Sequence, residues 1–201
     1  MTNQSASTTD SRPAAPVNAA RDIAQIAVFA ALIAALGAIP AINIGGGVPI
    51  TAQTLGVMLA GAILGARKGF FAVLLFLVVA LPLPLLAGGR TALVAFASPS
   101  AGYLVGWLLG AFVIGWGTAR ILPKYPLVWA LLITFVGGIV AIYLLGVPWV
   151  AFKTNWASAL ASTVKFLPGD LIKMVLTVLI AKGVHRALPG LIAPRAWASS
   201  K

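Results

Sequence analysis

The sequence predicts an all-α membrane protein: six transmembrane helices with both termini cytoplasmic. Three observations carry this. The 201 residues are 61% hydrophobic and only 8% charged. Six apolar segments follow one another along the chain, and the basic residues gather on alternate connections between them. An ordinary soluble domain is about 45–50% apolar and about 25% charged, and it keeps roughly a third of its unfolded surface wet. Fourteen Lys and Arg with three Asp and Glu cannot cover such a surface, and the mean hydropathy is +1.04. A soluble enzyme, a disordered protein and a nucleic-acid-binding domain are all excluded on these grounds. The net charge of +11 is scattered in singles and pairs between apolar runs, a pattern of membrane orientation rather than of phosphate tracking.

The elements follow in order. Residues 1–20 are polar and rich in Ser, Thr, Ala and Pro, and are expected to form a disordered cytoplasmic tail. No basic n-region stands directly before a short apolar stretch with a cleavage site, so the first apolar run reads as a retained helix. That run is Ile23–Ile39, stopped by Pro40; the next are Thr51–Ala66, ended by Arg67-Lys68, and Gly69–Leu81, ended by Pro82 and Pro84. Ala101–Ala119, Leu127–Gly146 and Gly169–Val184 complete the membrane domain, 21–186, and 187–201 form a second cytoplasmic tail. A lipid-spanning helix needs about 20 residues at 1.5 Å each. The second and third segments are short by that measure. Fusing them would put Arg67-Lys68 at the bilayer centre at a cost of several kcal/mol, so two short helices with a tight cytoplasmic turn are expected.

The charges test the count. With the N-terminus inside, the cytoplasmic side carries Arg12, Arg21, Arg67, Lys68, Arg120, Lys124, Lys182, Arg186, Arg195 and Lys201, which is ten. The outer side carries Arg90, Lys153 and Lys165, and Lys173 lies within the sixth helix. This positive-inside bias requires an even number of spans. The outer connections are Asn43–Ile50, a second with Pro82, Pro84, Gly88, Gly89, Arg90 and Pro99, and a third over about Val147–Pro168. Each holds Gly or Pro where a regular helix breaks. Irregular backbone at membrane depth must be buried in protein or line a cavity, so a cavity open to the outer face and roofed by these loops is expected.

Little supports catalysis. There is no cysteine and one histidine, His185, which excludes disulfides, Cys-bound metal and a histidine cluster; no metal and no cofactor are expected. His185 reads as an ordinary helix-end residue. Gly45-Gly46-Gly47 lacks the Lys-Ser/Thr of a phosphate-binding loop. Of three acidic residues only Asp170 sits in the apolar body, and Lys173 shares its helix face at i,i+3. Either Asp170 is a carboxylate near a helix start with Lys173 snorkelling outward, or the pair is a functional site, the default for ionisable groups in a membrane helix. In the second reading Asp170 accepts N–H donors from a ligand. Arg90 is either a solvated loop residue or a bidentate grip on a carboxylate, with Gly88 and Gly89 permitting close backbone approach. Thr51 and Gln53 either cap the second helix or bond a ligand. Trp149, Trp156 and Tyr143 read as interface-belt aromatics ahead of the alternative, site residues. Ala27, Ala31 and Ala35 recur every four residues, a small-residue face suited either to internal packing or to docking another membrane protein.

Three stretches together resemble a known family: Val48-Pro49-Ile50-Thr51-Ala52-Gln53-Thr54-Leu55-Gly56-Val57-Met58-Leu59-Ala60-Gly61, Ala87-Gly88-Gly89-Arg90, and Phe166-Leu167-Pro168-Gly169-Asp170-Leu171-Ile172-Lys173. In this order, on a six-helix chain, they resemble the BioY family, the biotin-specific S-components of energy-coupling factor (ECF) transporters. The resemblance runs from the first helix to Val184 and departs from the family's usual Gly-Pro-Thr-Gly-Gly-Tyr-like run at Ser98–Tyr103. It implies a multi-pass protein of the cell membrane that captures biotin from outside for ATP-driven uptake, with a transmembrane T-component and a pair of ABC-type ATPases. It implies a ligand set of Thr51, Gln53, Gly88, Gly89, Arg90, Asp170 and Lys173, and a T-component docking face at Ala27, Ala31 and Ala35. The alternatives are an S-component for another small vitamin and a non-transporting membrane scaffold.

Overall fold

The computed structural model describes residues 16–40 and 50–192. The described residues are helical, with one isolated antiparallel bridge, Leu86 to Arg90. The helices are α1 (Pro16–Gly37), α2 (Gln53–Leu64), α3 (Ala66–Val79), α4 (Ala92–Ala97), α5 (Ala101–Ile121), α6 (Leu127–Phe135), α7 (Ile142–Lys153) and α8 (Trp156–Ala187). A π-helical turn, Val136–Ala141, joins α6 to α7, so Leu127–Lys153 is one continuous rod. Ala19–Gly37, Ala101–Ile121 and Leu127–Lys153 are long and apolar enough to cross a membrane.

Helix α1 starts at Pro16, inside the stretch expected as a tail, because proline suits the first helical position and the following alanines favour helix. Residues 1–15, and the connection Asn43–Pro49 with its glycine triplet, lie outside the described residues, as do residues 193–201.

The turn between α2 and α3 is tight, as expected, but it falls at Gly65 rather than at Arg67-Lys68, which instead form the first turn of α3. Gly65 adopts φ +85°, a conformation that only glycine takes readily, and its N–H closes α2 on the Gly61 carbonyl at 3.0 Å. Lys68, one turn on, donates to Asp22 Oδ1 (3.1 Å), Gln25 Oε1 (2.7 Å) and the Leu191 carbonyl (3.4 Å). It thereby ties α1, α3 and the segment after α8 together at this end.

α5 is the central post, packed against α2, α3 and α7. The approach is close: a Cβ on Gly115 would stand 2.3 Å from the Ala66 nitrogen. With lipid around the bundle, such small-residue contacts supply the packing that a hydrophobic drive supplies in water. The outer faces are apolar and open, with Phe152 at 79% exposure and Val128 at 77%. A large apolar side chain left in water forgoes about 1.5–3 kcal/mol, so these faces suit hydrocarbon.

The third outer connection, expected over about Val147–Pro168, is mostly helix. Pro148 lies inside α7 and Pro168 inside α8. The break is confined to Thr154 and Asn155, where the Asn155 side chain caps α8 by accepting from the Ser158 N–H at 2.8 Å. An interior proline costs a helix about 3 kcal/mol, but neighbouring helices hold the rod on both sides, with Val150 and Ala159 fully buried. The second connection likewise contains the unexpected α4, whose first turn is capped by Thr91 Oγ1 accepting from the Val94 N–H.

Candidate functional site

A cavity of about 60 Å³ lies between the starts of α2 and α5, the α6–α7 rod and the middle of α8. Its polar end is built on α8. Lys173 Nζ stands 2.9 Å from Asp170 Oδ1 and 2.8 Å from Thr54 Oγ1 on α2. The Tyr143 hydroxyl donates to Asp170 Oδ2 at 2.6 Å. The side chains of Lys173 and Asp170 are only 13% and 9% exposed. An ionised carboxylate offers about four acceptor positions and an ammonium three donors. The pair therefore keeps unused acceptor capacity on Asp170 and one N–H on Lys173.

The π-helical turn lies against this site. Gly138 of that turn, and Ile142 and Tyr143 just after it, line the cavity; π-helical turns of this kind recur at functional sites. The rest of the wall is Tyr103, Leu104 and Trp107 of α5 with Phe166 of α8. Tyr103 meets Tyr143 and Phe166 edge-to-face at 5.9 and 6.1 Å. Among the described residues the Trp107 indole N–H is buried without a hydrogen-bond partner, while the Tyr103 hydroxyl is buried beside Thr163. Leaving such a group unmet costs about 1–3 kcal/mol, so the aromatic wall brings one unspent donor, the Trp107 indole N–H, to this region.

Arg90 lines the same cavity. It is carried by a hairpin in which Leu86 and Arg90 exchange both backbone bonds, at 3.0 and 3.2 Å. Gly88 (φ +81°) and Gly89 (φ +68°) make the turn. The glycines serve the chain reversal: neither lines the cavity, and an added Cβ would meet nothing within 4 Å. Among the described residues the Arg90 guanidinium engages no acceptor.

Thr51 lines the cavity and does not cap α2, whose N-cap is Ala52 without a side-chain bond. Gln53 touches the cavity, but its amide faces inward, donating to the Ile33 and Leu85 carbonyls and accepting from the Ala87 N–H. Ala27, Ala31 and Ala35 lie apart from the cavity, on the exposed face of α1. His185 is a helix-end residue bonded to the Ala62 carbonyl at 2.8 Å. Trp149 and Trp156 do not line the cavity, in keeping with interface aromatics, whereas Tyr143, read with them from sequence, belongs to the site. Thr54, Tyr103, Trp107 and Phe166 were not singled out by sequence. Tyr103 and Trp107 carry one local signal, their spacing of one turn on a single face, while Thr54 and Phe166 lie within the stretches that resemble the family. No group of three or more His, Cys, Asp or Glu that could hold a metal occurs among the described residues.

The model of the BioY family matches residues 3–190. A biotin transporter BioY of Rhizobium etli is 44% identical over 178 residues, covering 84% of this chain and 95% of the relative. That of Rhodobacter capsulatus is 46% identical over 189 residues, covering 87% and 98%. A crystal structure of the S-component for biotin from an ECF-type ABC transporter superposes with a TM-score of 0.78 at 34% identity, covering 84% of this chain and 93% of the other. Matched along nearly its whole length by family model, relatives and fold alike, the chain belongs to the BioY family.

Proposed function

We propose that this chain is the biotin-capturing S-component of an ECF transporter, a transport subunit and not an enzyme. The relatives named as biotin transporters and the related S-component structure support the substrate. One observation carries the site: a buried anion with unused acceptor capacity, Asp170, shares an aromatic-walled cavity with Arg90, whose guanidinium engages no acceptor among the described residues. Biotin is complementary to that arrangement. Its ureido ring brings two N–H donors for Asp170 and a carbonyl for the spare donors, Lys173 among them. Its bicyclic body and aliphatic chain suit Tyr103, Trp107 and Phe166. Its carboxylate suits Arg90, because Lys173 is already committed to Asp170 and Thr54. Thr51 would line the ligand, while Gln53, Gly88 and Gly89 would act through the shape of the loop that carries Arg90.

The chain would cross the cell membrane six times, through α1, α2, α3, α5, the α6–α7 rod and α8, with both termini cytoplasmic and the cavity toward the outside. The distribution of Lys and Arg supports that orientation. Residues 21–186 would form the membrane domain, flanked by cytoplasmic tails. Energy would come from a T-component and ABC-type ATPases, since the sequence carries no nucleotide-binding motif. The exposed Ala27, Ala31 and Ala35 on α1, beside an apolar groove against Leu75 and Val79 of α3, would seat the T-component.

Radiolabelled biotin binding to the purified protein tests this, with a panel of other vitamins as competitors. Asp170→Asn and Lys173→Ala should each weaken binding roughly tenfold or more, the worth of a hydrogen bond to a charged group. Unchanged affinity in both rejects the site. Displacement by a different vitamin at lower concentration than biotin replaces the substrate. Absence of any saturable ligand favours a scaffold.

A further inference from the structure

Gln53 is fully buried, yet its amide is spent on protein. One N–H donates to the Ile33 carbonyl of α1 at 3.2 Å and the other to the Leu85 carbonyl at 3.1 Å. The oxygen accepts from the Ala87 N–H at 3.0 Å. Leu85 and Ala87 flank Leu86, the residue whose backbone pairs with Arg90. The side chain of the first residue of α2 thus holds one wing of the Arg90 hairpin on one side and α1 on the other. Gly37 of α1 belongs to the same joint, since a Cβ there would stand 2.2 Å from the Leu85 oxygen and 2.7 Å from Gln53 Nε2.

We infer that Gln53 is a positioning residue for Arg90: it clamps the hairpin to α1 and α2 so that the guanidinium is presented to the ligand carboxylate. The carboxylate role of Arg90 rests on the function proposed above; the clamp itself does not. A sliding hairpin would leave Asp170, Lys173 and the aromatic wall in place while removing the guanidinium from the carboxylate. The clamp also joins the hairpin directly to the helix that carries Ala27, Ala31 and Ala35, so displacement of α1 strains the bonds that position Arg90.

The test uses the full-length protein in lipid nanodiscs, with Gln53→Met, which keeps the volume and removes the bonds, and Gly37→Ala, which leaves the amide intact and crowds the joint from α1. Dissociation constants are measured for biotin and for biotin methyl ester, which lacks the carboxylate charge. Amide exchange of segment 85–91 is followed in ligand-free protein. The wild type should prefer biotin over the ester by roughly tenfold or more, as expected for one charge-assisted contact. Both variants should bring that ratio close to one by weakening biotin alone, and both should speed hairpin exchange. Adding Arg90→Gln to Gln53→Met should then change nothing further. Equal weakening of both ligands with the ratio preserved overturns the inference, because it marks a residue that merely supports the fold. A wild type that does not discriminate the ester removes the carboxylate role of Arg90, and exchange then decides the clamp: wild-type rates in Gln53→Met overturn it, faster rates sustain it.

Discussion

Replacing Lys173 with methionine removes the cation from a buried carboxylate while keeping most of the stem's volume. With Nζ 2.9 Å from Asp170 Oδ1, two unit charges attract by about 6 kcal/mol at an effective dielectric constant of about 20. Desolvating two ions opposes most of that gain, so the intact pair is worth little against an apolar pair of equal shape. Removing one partner is different, because the desolvation of Asp170 stays and the attraction goes; breaking such a pair costs about 3–5 kcal/mol. Lys173→Met should lose stability of that order. The double variant Asp170→Asn/Lys173→Met removes both charges, and its amide can still accept from the Tyr143 hydroxyl. It should regain at least about 2 kcal/mol over Lys173→Met, yet bind no biotin. Ligand-free unfolding in mixed detergent micelles reads the stabilities, and radiolabelled biotin reads the binding of all four proteins. Stability losses that add to within about 0.5 kcal/mol, or a double variant that binds biotin like the wild type, would refute the coupling of Asp170 and Lys173 as one ligand-holding unit.

Tyr143→Phe removes the 2.6 Å bond to Asp170 and should weaken biotin roughly tenfold; unchanged affinity in an equilibrium binding assay would place the hydroxyl outside the mechanism. Ala31→Leu fills the exposed face of α1 without touching the cavity. It should leave biotin binding by the purified chain intact and abolish uptake by cells that supply the energising subunits, whereas normal uptake would move the docking face elsewhere. Gly115→Ala forces a Cβ to within 2.3 Å of the Ala66 nitrogen and should lower stability by about 1–3 kcal/mol; because Gly115 does not line the cavity, biotin affinity should stay within about twofold.

Much of the bundle was legible in the sequence because lipid leaves the chain few choices. Every backbone group must be satisfied within a helix, so the apolar runs and the Arg67-Lys68 pair mark α2, α3 and a turn between them, which the structure sets two residues earlier, at Gly65. Asp170 and Lys173 stood out because the cost of an ion in an apolar helix makes a lone pair conspicuous. Their partners did not stand out. Thr54 lies 119 positions from Lys173, and Tyr143 lies 27 from Asp170; nothing local distinguishes such a tyrosine from an interface aromatic. Gln53 reads as a ligand contact or a cap because its polarity is local information, while the three groups that consume it come from other elements. Pro148 and Pro168 read as breaks because the penalty of a proline is local and the packing that outweighs it is not.

On the function proposed above, biotin is held in the cavity beside Asp170. The structure of the purified protein determined with biotin bound tests it most directly. The ureido nitrogens should lie within about 3 Å of the Asp170 carboxylate, the bicyclic rings against Tyr103 and Phe166, and the carboxylate against Arg90. Biotin resolved outside this cavity, or inside it with its carboxylate turned toward Asp170, would contradict the account.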